Sequence, residues 1–326
     1  MNRLSFHQWN KLISYRHIVA DGIGDNLLVI GYANRLLAGP KKTTAGTLMN
    51  RLEDLNSTSE ALAVTEPARY PLFADALPQT EIHEGRYHLR FARTPEELDA
   101  LLKLRFEVFN LELREGLDSS FLISRDLDEF DPSCHHLIVE DNANNRVVGT
   151  YRMQTGDMAA SAKGFYTAAE FDLARFPANV LNSSVELGRA CVAGDYRNTQ
   201  VLFLLWKGLA AYVAHNRKRY LFGCCSITSQ QPLDGLRVMG LLEQAGNIHP
   251  SLRSAPRPGF ECVADAERRS RVSEASIPKL FRTYLRFGAK VCGPPAIDRR
   301  FKTIDFLVLF DVFEMDAQLR QMFFGV

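Results

Sequence analysis

Apolar residues recur with a period of two in some stretches of this chain and with a helical period in others. These patterns predict strands at 87–91, 136–140, 146–153, 183–192, 220–227 and 303–310. Helices are predicted at 168–176, 201–213 and 277–287, and a charged, proline-containing region is predicted before the last of them. Because strands and helices alternate unevenly, the pattern favours an α/β fold with a mixed sheet.

One further helix carries clear start signals. Thr94 suits an N-cap, Pro95 the first helical position and Glu97 a capping box. Arg105 lies on the apolar stripe of this helix, where a guanidinium group needs an anionic partner. The stripe consists of Leu98, Leu101, Leu102, Phe106 and Phe109.

The predicted strand at 183–192 holds one carboxylate and one guanidinium group, Glu186 and Arg189, three positions apart. Positions three apart point to opposite faces of a regular strand, but a bulge at Gly188 would bring both side chains to one side. Burying either charge without a partner would lower the stability of the fold by roughly several kcal/mol. The two residues are therefore either a structural ion pair or functional groups.

Four carboxylates stand within the six residues 126–131. The stretch is either a solvated acidic loop or a site that receives a cationic group. The glycine and the terminal glutamate of an EF-hand calcium loop are missing, which argues against calcium. His135 and His136 follow it without metal-ligand spacing, so we predict structural roles for both.

The first 85 residues differ from the rest, and we predict a mostly helical or irregular extension at 1–85 and one main domain at 86–326. A helix is predicted at 25–37. Gly22 and Gly24 precede it, but no strand comes before them, so a nucleotide-binding loop is rejected. The extension either lies at a membrane interface, with Phe6 and Trp9 against lipid, or packs on the main domain.

Composition narrows the class of protein. The chain has 326 residues, of which 46% are hydrophobic and 24% charged, and its net charge of +1 gives no support for nucleic-acid binding. Its six cysteines form no C-x-x-C pair and are expected to be reduced. We find neither a signal-peptide pattern nor an apolar run long enough to span a bilayer. We therefore predict a cytoplasmic protein, with peripheral attachment to the inner membrane as an open alternative.

Several motifs occur in the same order as in one known group of enzymes. The chain resembles the GNAT-like acyltransferases that include the acyl-homoserine-lactone synthases and N-acyl amino acid synthases. Within that group it is most similar to the ornithine N-acyltransferases of ornithine-lipid biosynthesis. The likeness covers about residues 88–312 and implies a mixed, splayed sheet flanked by helices. Its motifs are 104–109, Asp126-x-Asp128-x-x-Asp131, 148–152, 164–173 and 186–192.

The resemblance implies that a long (3-hydroxy)acyl chain moves from acyl carrier protein to the α-amine of an amino acid. Ornithine is the first expectation; glycine, tyrosine or a lactone-forming substrate are the alternatives. It implies catalytic roles for Glu186, as proton acceptor, and Arg189. Substrate binding is expected at Arg105, Phe109, Asp126, Asp128, Asp131 and Arg152, with the aspartates holding ammonium groups, and acyl-donor binding at Cys191, Val192 and Arg197.

Acyl carrier protein is preferred to coenzyme A as the donor because 196–202 lacks the glycines that let a backbone cradle a pyrophosphate. Basic residues are expected to dock the carrier protein, namely Arg197, Arg217, Lys218, Arg219, Arg299, Arg300 and Lys302. No metal and no resident cofactor are expected. The alternative from another class is a non-catalytic, membrane-associated binding module on the same fold.

Overall fold

A computed structural model describes residues 70–263 and 276–325 of the protein. The helix predicted at 25–37 and the residues Phe6, Trp9, Gly22 and Gly24 lie outside this range. The predictions for the extension, and for a boundary after residue 85, therefore stay predictions.

The described residues form a mixed sheet of nine strands. The order is β1-β2-β3-β4-β5-β6-β9-β7, with β8 also paired to β9. Neighbours are antiparallel except β5 and β6, which are parallel. All six predicted strands are confirmed. The strands are β1 (Ile82–Glu84), β2 (Tyr87–Phe91), β3 (His135–Asp141), β4 (Arg146–Thr155), β5 (Ser184–Val192), β6 (Tyr220–Ile227), β7 (Lys290–Val291), β8 (Ala296–Asp298) and β9 (Thr303–Asp311).

Eight α-helices accompany the sheet in the described residues. They are α1 (Pro95–Arg105), α2 (Ser120–Ile123), α3 (Gly156–Ser161), α4 (Ala178–Asn182), α5 (Thr199–His215), α6 (Pro232–Gln244), α7 (Lys279–Phe287) and α8 (Ala317–Phe324). The predicted helices that became α1, α5 and α7 are confirmed, and α1 begins with the predicted capping box at Thr94. Beyond Arg105 the chain continues as a π-helix, Phe106–Glu112.

One helix prediction was wrong. The stretch 168–176 is not one helix but two short 3-10 turns, Tyr166–Ala169 and Leu173–Arg175. Phe171, between them, forms a β-bridge with Pro256, and this bridge is incompatible with a continuous helix. The charged, proline-containing region after β6 includes α6, a helix that was not predicted, with Pro232 at its first position.

The parallel strands β5 and β6 pair over only three residues each. Their register joins Ser184–Glu186 of β5 to residues 220–222 of β6, although both strands continue further. Gly223 follows the last paired residue of β6, and a Cβ atom there would lie 2.2 Å from the carbonyl oxygen of Leu187. Only glycine fits this close approach. The sheet therefore opens in its middle, where the splayed strands were expected.

Apolar packing covers both faces of the sheet. On one face, Trp206 of α5 contacts Phe287 of α7, Phe323 of α8 and Phe310 of β9, with ring centroids 4.7, 5.6 and 6.0 Å apart. The other face holds a cluster that includes Phe171, Phe222 and Leu309. Among the described residues, no helix combines the length and the apolar character that crossing a bilayer requires.

Candidate active site

Three arginines and three aspartates form a buried ion network beside β4 and β5. The Arg105 guanidinium, at the end of α1, is 0% exposed. Its Nε donates to Asp126 at 2.8 Å and its Nη1 to Asp131 at 2.6 Å. Arg152 of β4 donates to Asp128 at 2.6 Å and to Asp131 at 3.1 Å. Arg189 closes the network.

Arg189 reaches the network through a β-bulge in β5. Arg152 pairs with Gly188 and Thr150 with Cys191, so β5 carries one extra residue between these positions. The predicted bulge is present, and Arg189 takes the left-handed backbone conformation, with φ 49°. From there its guanidinium donates to Asp126 at 3.2 Å and to Asp128 at 2.9 Å. It also lies 4.4 Å from the ring centroid of Phe301.

The neighbouring arginines favour the ionised form of two of the buried aspartates. Burial alone would raise the pKa of Asp131, but the charges of Arg105 and Arg152 hold it well below its ordinary value. The pKa of Asp128 is also lowered, because the charge of Arg152 outweighs the effect of burial, which would raise it. His136 Nε2 donates to Asp131 at 3.2 Å, and His136 Nδ1 lies 2.9 Å from the Tyr70 hydroxyl. These contacts agree with the structural role predicted for His136.

The network changes the interpretation of the acidic loop. Asp126, Asp128 and Asp131 were expected to receive ammonium groups of a substrate, but each already faces arginine. Asp126 and Asp131 are also 0% exposed. This geometry favours the role of a scaffold that fixes β4, β5 and α1 together. Arg105, which was expected to bind substrate, instead contacts the carboxylates of Asp126 and Asp131.

Glu186, on β5, is held by three N–H groups. The Gln154 side chain donates to its Oε2 at 2.5 Å, and the backbone of Tyr166 donates to the same oxygen at 2.9 Å. The backbone N–H of Thr167 donates to Oε1 at 2.7 Å. Glu186 and Arg189 form no ion pair with each other in the described residues. The structural ion pair considered for these two residues of β5 is therefore not present. The carboxylate is thus fixed in direction while remaining free of a cationic partner.

Glu186 and Arg189 line one cavity of about 340 Å³ at the point where β5 and β6 separate. That volume is typical of small-molecule sites. Because side chains alternate along a strand, the register assigns the lining to two faces of the sheet. Glu186, Cys224, Ser226, Asp298 and Asp305 share one face. The opposite face contributes apolar and aromatic residues, namely Tyr151, Leu221, Val308 and Phe310 from the strands with Trp206, Phe281 and Tyr284 from α5 and α7.

Other predicted site residues lie in different places. Phe109 and Arg152 line the cavity. Cys191 is buried in a cluster with Leu104 and Phe109. At the end of β5, the Val192 carbonyl accepts from Arg197 Nε at 3.1 Å, and Arg197 also forms an ion pair with Glu112 at 2.5 Å. Cys191, Val192 and Arg197 are not among the residues that line the cavity.

The sequence predictions missed two sets of cavity residues. One is the support of Glu186, that is Gln154 and the turn that begins at Tyr166. The other is a second group of carboxyls, Glu115, Asp298 and Asp305. A signal for Asp305 was present, because it is a lone carboxylate inside the apolar stretch 303–310, as Glu186 is inside its own strand.

Two sets of side chains in the described residues bring three potential metal ligands together. Glu81, His83 and His88 lie at the exposed edge of the sheet, and Glu170, Cys224 and Asp305 lie beside the cavity. Burial raises the pKa of the Cys224 thiol well above its ordinary value, which disfavours the thiolate that binds metals. We therefore interpret Asp305 as a carboxyl of the cavity wall and Glu170 as its buried neighbour.

Comparison with known sequences identifies relatives along most of the chain. A family model described as an acetyltransferase (GNAT) domain matches residues 104–207. The L-ornithine N(alpha)-acyltransferase of Agrobacterium fabrum is 30% identical over 239 residues, covering 70% of this chain and 82% of the relative. The protein of that name from Rhodobacter capsulatus is 32% identical over 251 residues, covering 73% and 94%.

Solved structures with lower similarity were also found. The AHL synthase LasI covers 73% of this chain and 95% of its own, with a TM-score of 0.39 and 14% identity. FeeM, an N-acyl amino acid synthase from uncultured soil microbes, covers 71% and 94%, with a TM-score of 0.42 and 13% identity. The sheet described above, with the match to the GNAT domain, confirms the predicted fold: a GNAT-like mixed α/β fold whose sheet is mostly antiparallel.

Proposed function

Because this chain belongs to the family of the L-ornithine N(alpha)-acyltransferases, we propose that it transfers an acyl chain to the α-amine of ornithine, with Glu186 as the proton acceptor. The observation that carries this proposal is the Glu186 carboxylate, which three N–H donors fix at the wall of a cavity without a cationic partner. An amine is protonated in water, so a nearby proton acceptor is what attack on a thioester requires.

The proposed reaction has two stages. Glu186, directly or through water, takes a proton from the substrate ammonium, and the free amine attacks the thioester carbon. The oxygen that becomes negative is stabilised by backbone N–H groups of β5 beyond Glu186, where β5 no longer pairs with β6. The C–S bond then breaks as the amide forms. The nitrogen loses its second proton, and the leaving thiolate is protonated to a thiol.

The apolar side of the cavity supports a long acyl chain as the transferred group. Trp206, Tyr284 and Phe310 are among the residues that line it, on the face of the sheet opposite to Glu186. The opening between β5 and β6 connects the two faces, so a thioester carbonyl placed there reaches an amine on the Glu186 side. Burial of methylene groups against these rings contributes roughly 0.8 kcal/mol each.

Acyl carrier protein is the proposed donor, and the start of α5 supports it. The Asn198 side chain accepts from the backbone N–H groups of Gln200 and Val201 at 3.0 and 2.9 Å. These first-turn donors, which would cradle the pyrophosphate of coenzyme A, are therefore occupied. The phosphopantetheine of a carrier protein has a single phosphate and therefore needs fewer backbone N–H donors than a pyrophosphate does. The donor serves as a co-substrate, and we propose no resident cofactor or metal.

The basic residues predicted to dock the carrier protein differ in their partners. Arg197 pairs with Glu112, Lys218 with Asp157, Arg219 with Asp311 and Lys302 with Asp118. Arg217, Arg299 and Arg300 are exposed and take part in no ion pair between described residues. These three are consequently the better candidates for an acidic partner.

The proposed product is an N-acyl amino acid, a lyso-aminolipid that must reach a membrane. Exposed apolar residues next to the cavity support contact with a lipid surface. Leu111, Phe121, Leu122 and Ile123 are 56, 53, 70 and 48% exposed, and Leu113, between them in sequence, lines the cavity. Cytoplasmic location with peripheral attachment stays a prediction.

Expression in a bacterial host that lacks amino-acid lipids, followed by mass spectrometry of the lipid extract, tests the proposed function. We expect a new lipid whose mass equals ornithine plus one acyl chain. A new lipid whose mass equals glycine or tyrosine plus one acyl chain would show that the acceptor is not ornithine, while the assignment as an N-acyltransferase would stand. An unchanged lipid extract from a host that contains folded protein would favour the non-catalytic binding module.

A further inference from the structure

A second acidic group lies on the Glu186 side of the cavity, separate from the arginine network. It comprises Glu115, Asp298 and Asp305, which line the cavity, and Glu170, whose carboxyl lies within 4.8 Å of Asp305. We infer that this acidic group binds the side-chain ammonium of a diamino acid acceptor, with Asp305 as the main contact. The inference rests on the proposed function and identifies the residues that select the acceptor.

The carboxyls of the acidic group are buried, and no described lysine, arginine or histidine forms an ion pair with them. Asp305 is 4% exposed and Glu170 is 3% exposed. Asp305 Oδ1 and Glu170 Oε2 have no hydrogen-bond partner among the described residues. None of the ion pairs between described residues includes a member of the group. A buried carboxylate oxygen without a hydrogen-bond partner can accept a hydrogen bond from a charged donor.

Two members of the acidic group are partly satisfied by other contacts. Asp298 Oδ1 accepts from the backbone N–H groups of Arg300 and Phe301, at 2.7 and 2.9 Å. Glu115 accepts a hydrogen bond from the Thr228 hydroxyl. These contacts orient two carboxyls toward the cavity but bring no positive charge. Asp305 and Glu170 interact with each other, because a protonated Glu170 carboxyl donates a hydrogen bond to Asp305, and the pair then carries one negative charge available to a cation.

The electrostatics of the acidic group agree with this role. Burial, followed by the neighbouring charge of Asp305, raises the pKa of Glu170 to about 10. Burial likewise raises the pKa of Asp305 and of Glu115. Burial and the neighbouring carboxyls therefore outweigh the opposing charge of Arg189 on Glu170, and its protonated form is favoured. An ammonium group bound between Glu170 and Asp305 would add positive charge and displace a proton.

A continuous run of contacts connects Glu186 to the acidic group along one face of the sheet. The Thr167 N–H donates to Glu186, and the Thr167 hydroxyl lies 3.9 Å from Cys224 Sγ. Cys224 Sγ in turn lies within 4.8 Å of carboxyl oxygens of Glu170 and Asp305. A diamino acid whose α-amine approaches Glu186 would extend its side chain along these residues. Asp126 and Asp131, by contrast, are enclosed by arginine.

The test compares two acceptors, ornithine and norvaline, which share a carbon chain but differ in the side-chain ammonium. The rates of amide formation from acyl-carrier protein give kcat and KM for each acceptor. We expect Asp305→Asn to raise KM for ornithine by at least about tenfold, the cost of losing a charged hydrogen bond. KM for norvaline should stay within about twofold of its wild-type value, because norvaline makes no such contact.

Two further variants serve as control and safeguard. Asp157→Asn removes an exposed carboxylate that pairs with Lys218 away from the cavity, and it should change neither KM. Glu170→Gln provides a second test if Asp305→Asn unfolds, as judged by thermal melting, and it should raise KM for ornithine selectively.

The possible results separate the inference from the proposed function. Equal rises in KM for ornithine and norvaline, or a wild type that does not distinguish them, would overturn the inference while acyl transfer stands. Loss of wild-type activity with a chelator would overturn it in favour of a metal held by Glu170, Cys224 and Asp305. Failure of the wild type to acylate any amine would overturn the proposed function itself.

Discussion

Glu186 and Asp305 lie on the same face of the sheet, although they belong to β5 and β9 and β6 runs between them. Glu186 is in register with Phe222, and Asp305 with Ser226. Those two β6 positions are an even number of residues apart, and alternation therefore directs both carboxyls to one side. The acceptor side of the cavity is built from this relationship, while the aromatic side lies across the sheet.

The opening between β5 and β6 depends on Gly223. We expect Gly223→Ala to lower the free energy of unfolding by roughly 1–3 kcal/mol and to reduce acyl transfer, because the new Cβ would overlap the Leu187 carbonyl. Gly240→Ala in α6 is the matched control, since a Cβ there meets nothing within 4 Å. It should be neutral or slightly stabilising. Urea unfolding measures both, and equal stability of the two variants would argue against the close approach.

The arginine network should be sensitive to loss of one partner. Arg105→Ala is expected to lower the free energy of unfolding by about 3–5 kcal/mol, because Asp126 and Asp131 would be left buried and unpaired. Arg105→Lys should recover little of this loss, since one ammonium group cannot reproduce contacts to two carboxylates. Arg175→Ala, which removes an exposed pair with Asp172, should cost less than about 1 kcal/mol. Wild-type stability of Arg105→Lys would show that charge alone matters there.

The acidic group should give the protein a specific pH dependence. The pKa of Glu170 is about 10 in the folded protein against 4.5 ordinarily, so between these values the folded state keeps a proton that the unfolded state loses. Stability from this group is complete below about pH 4.5 and declines as pH rises toward 10. Wild type should therefore lose stability relative to Glu170→Gln, by at most about 1.4 kcal/mol per pH unit.

Urea unfolding of both proteins at several pH values measures this difference. Glu129→Gln, which changes an exposed carboxylate paired with Lys163, is the control and should follow the wild-type curve. Parallel curves for wild type and Glu170→Gln would mean that Glu170 is already ionised in the folded protein.

Docking of an acidic carrier protein should depend on salt. The apparent KM for acyl-carrier protein is expected to rise severalfold between roughly 20 and 200 mM salt, because screening weakens contacts between exposed charges. The double variant Arg299→Ala with Arg300→Ala should raise it at low salt and flatten the salt dependence, whereas Arg175→Ala should not. A rate that is independent of salt, together with efficient use of acyl-coenzyme A, would reverse the assignment of the donor.

The fold was largely predictable from the sequence because its strands carry strong local signals. The capping box at Thr94 and the apolar runs of β5, β6 and β9 specify their elements without help from distant residues. The stretch 168–176 failed because Phe171 joins Pro256, a contact with a residue far away in sequence. Local periodicity contains no information about such a bridge.

The site was only partly predictable, for a similar reason. Glu186 and Arg189 stood out as charges in an apolar strand. The partners of Asp126, Asp128 and Asp131 did not, because ion pairing joins α1, β4 and β5 across the fold. Without those partners, a row of aspartates resembles a receptor for ammonium groups. Once those partners are known, Asp305 becomes the better candidate for contact with an ammonium group, and its place beside the cavity depends on the register between β6 and β9.

The central claim is that Glu186 accepts the proton during acyl transfer to a diamino acid, and single-turnover amide formation by Glu186→Gln tests it most directly. The wild type, with acyl-carrier protein and ornithine, should form N-acylornithine, and the variant should do so about 10²–10⁴ times more slowly. Its circular dichroism should match the wild type, but its melting temperature should be lower, because glutamine has one acceptor oxygen and its NH2 group would face an N–H donor that a Glu186 oxygen now satisfies. Amide formation at a near-wild-type rate by the folded variant would contradict the account.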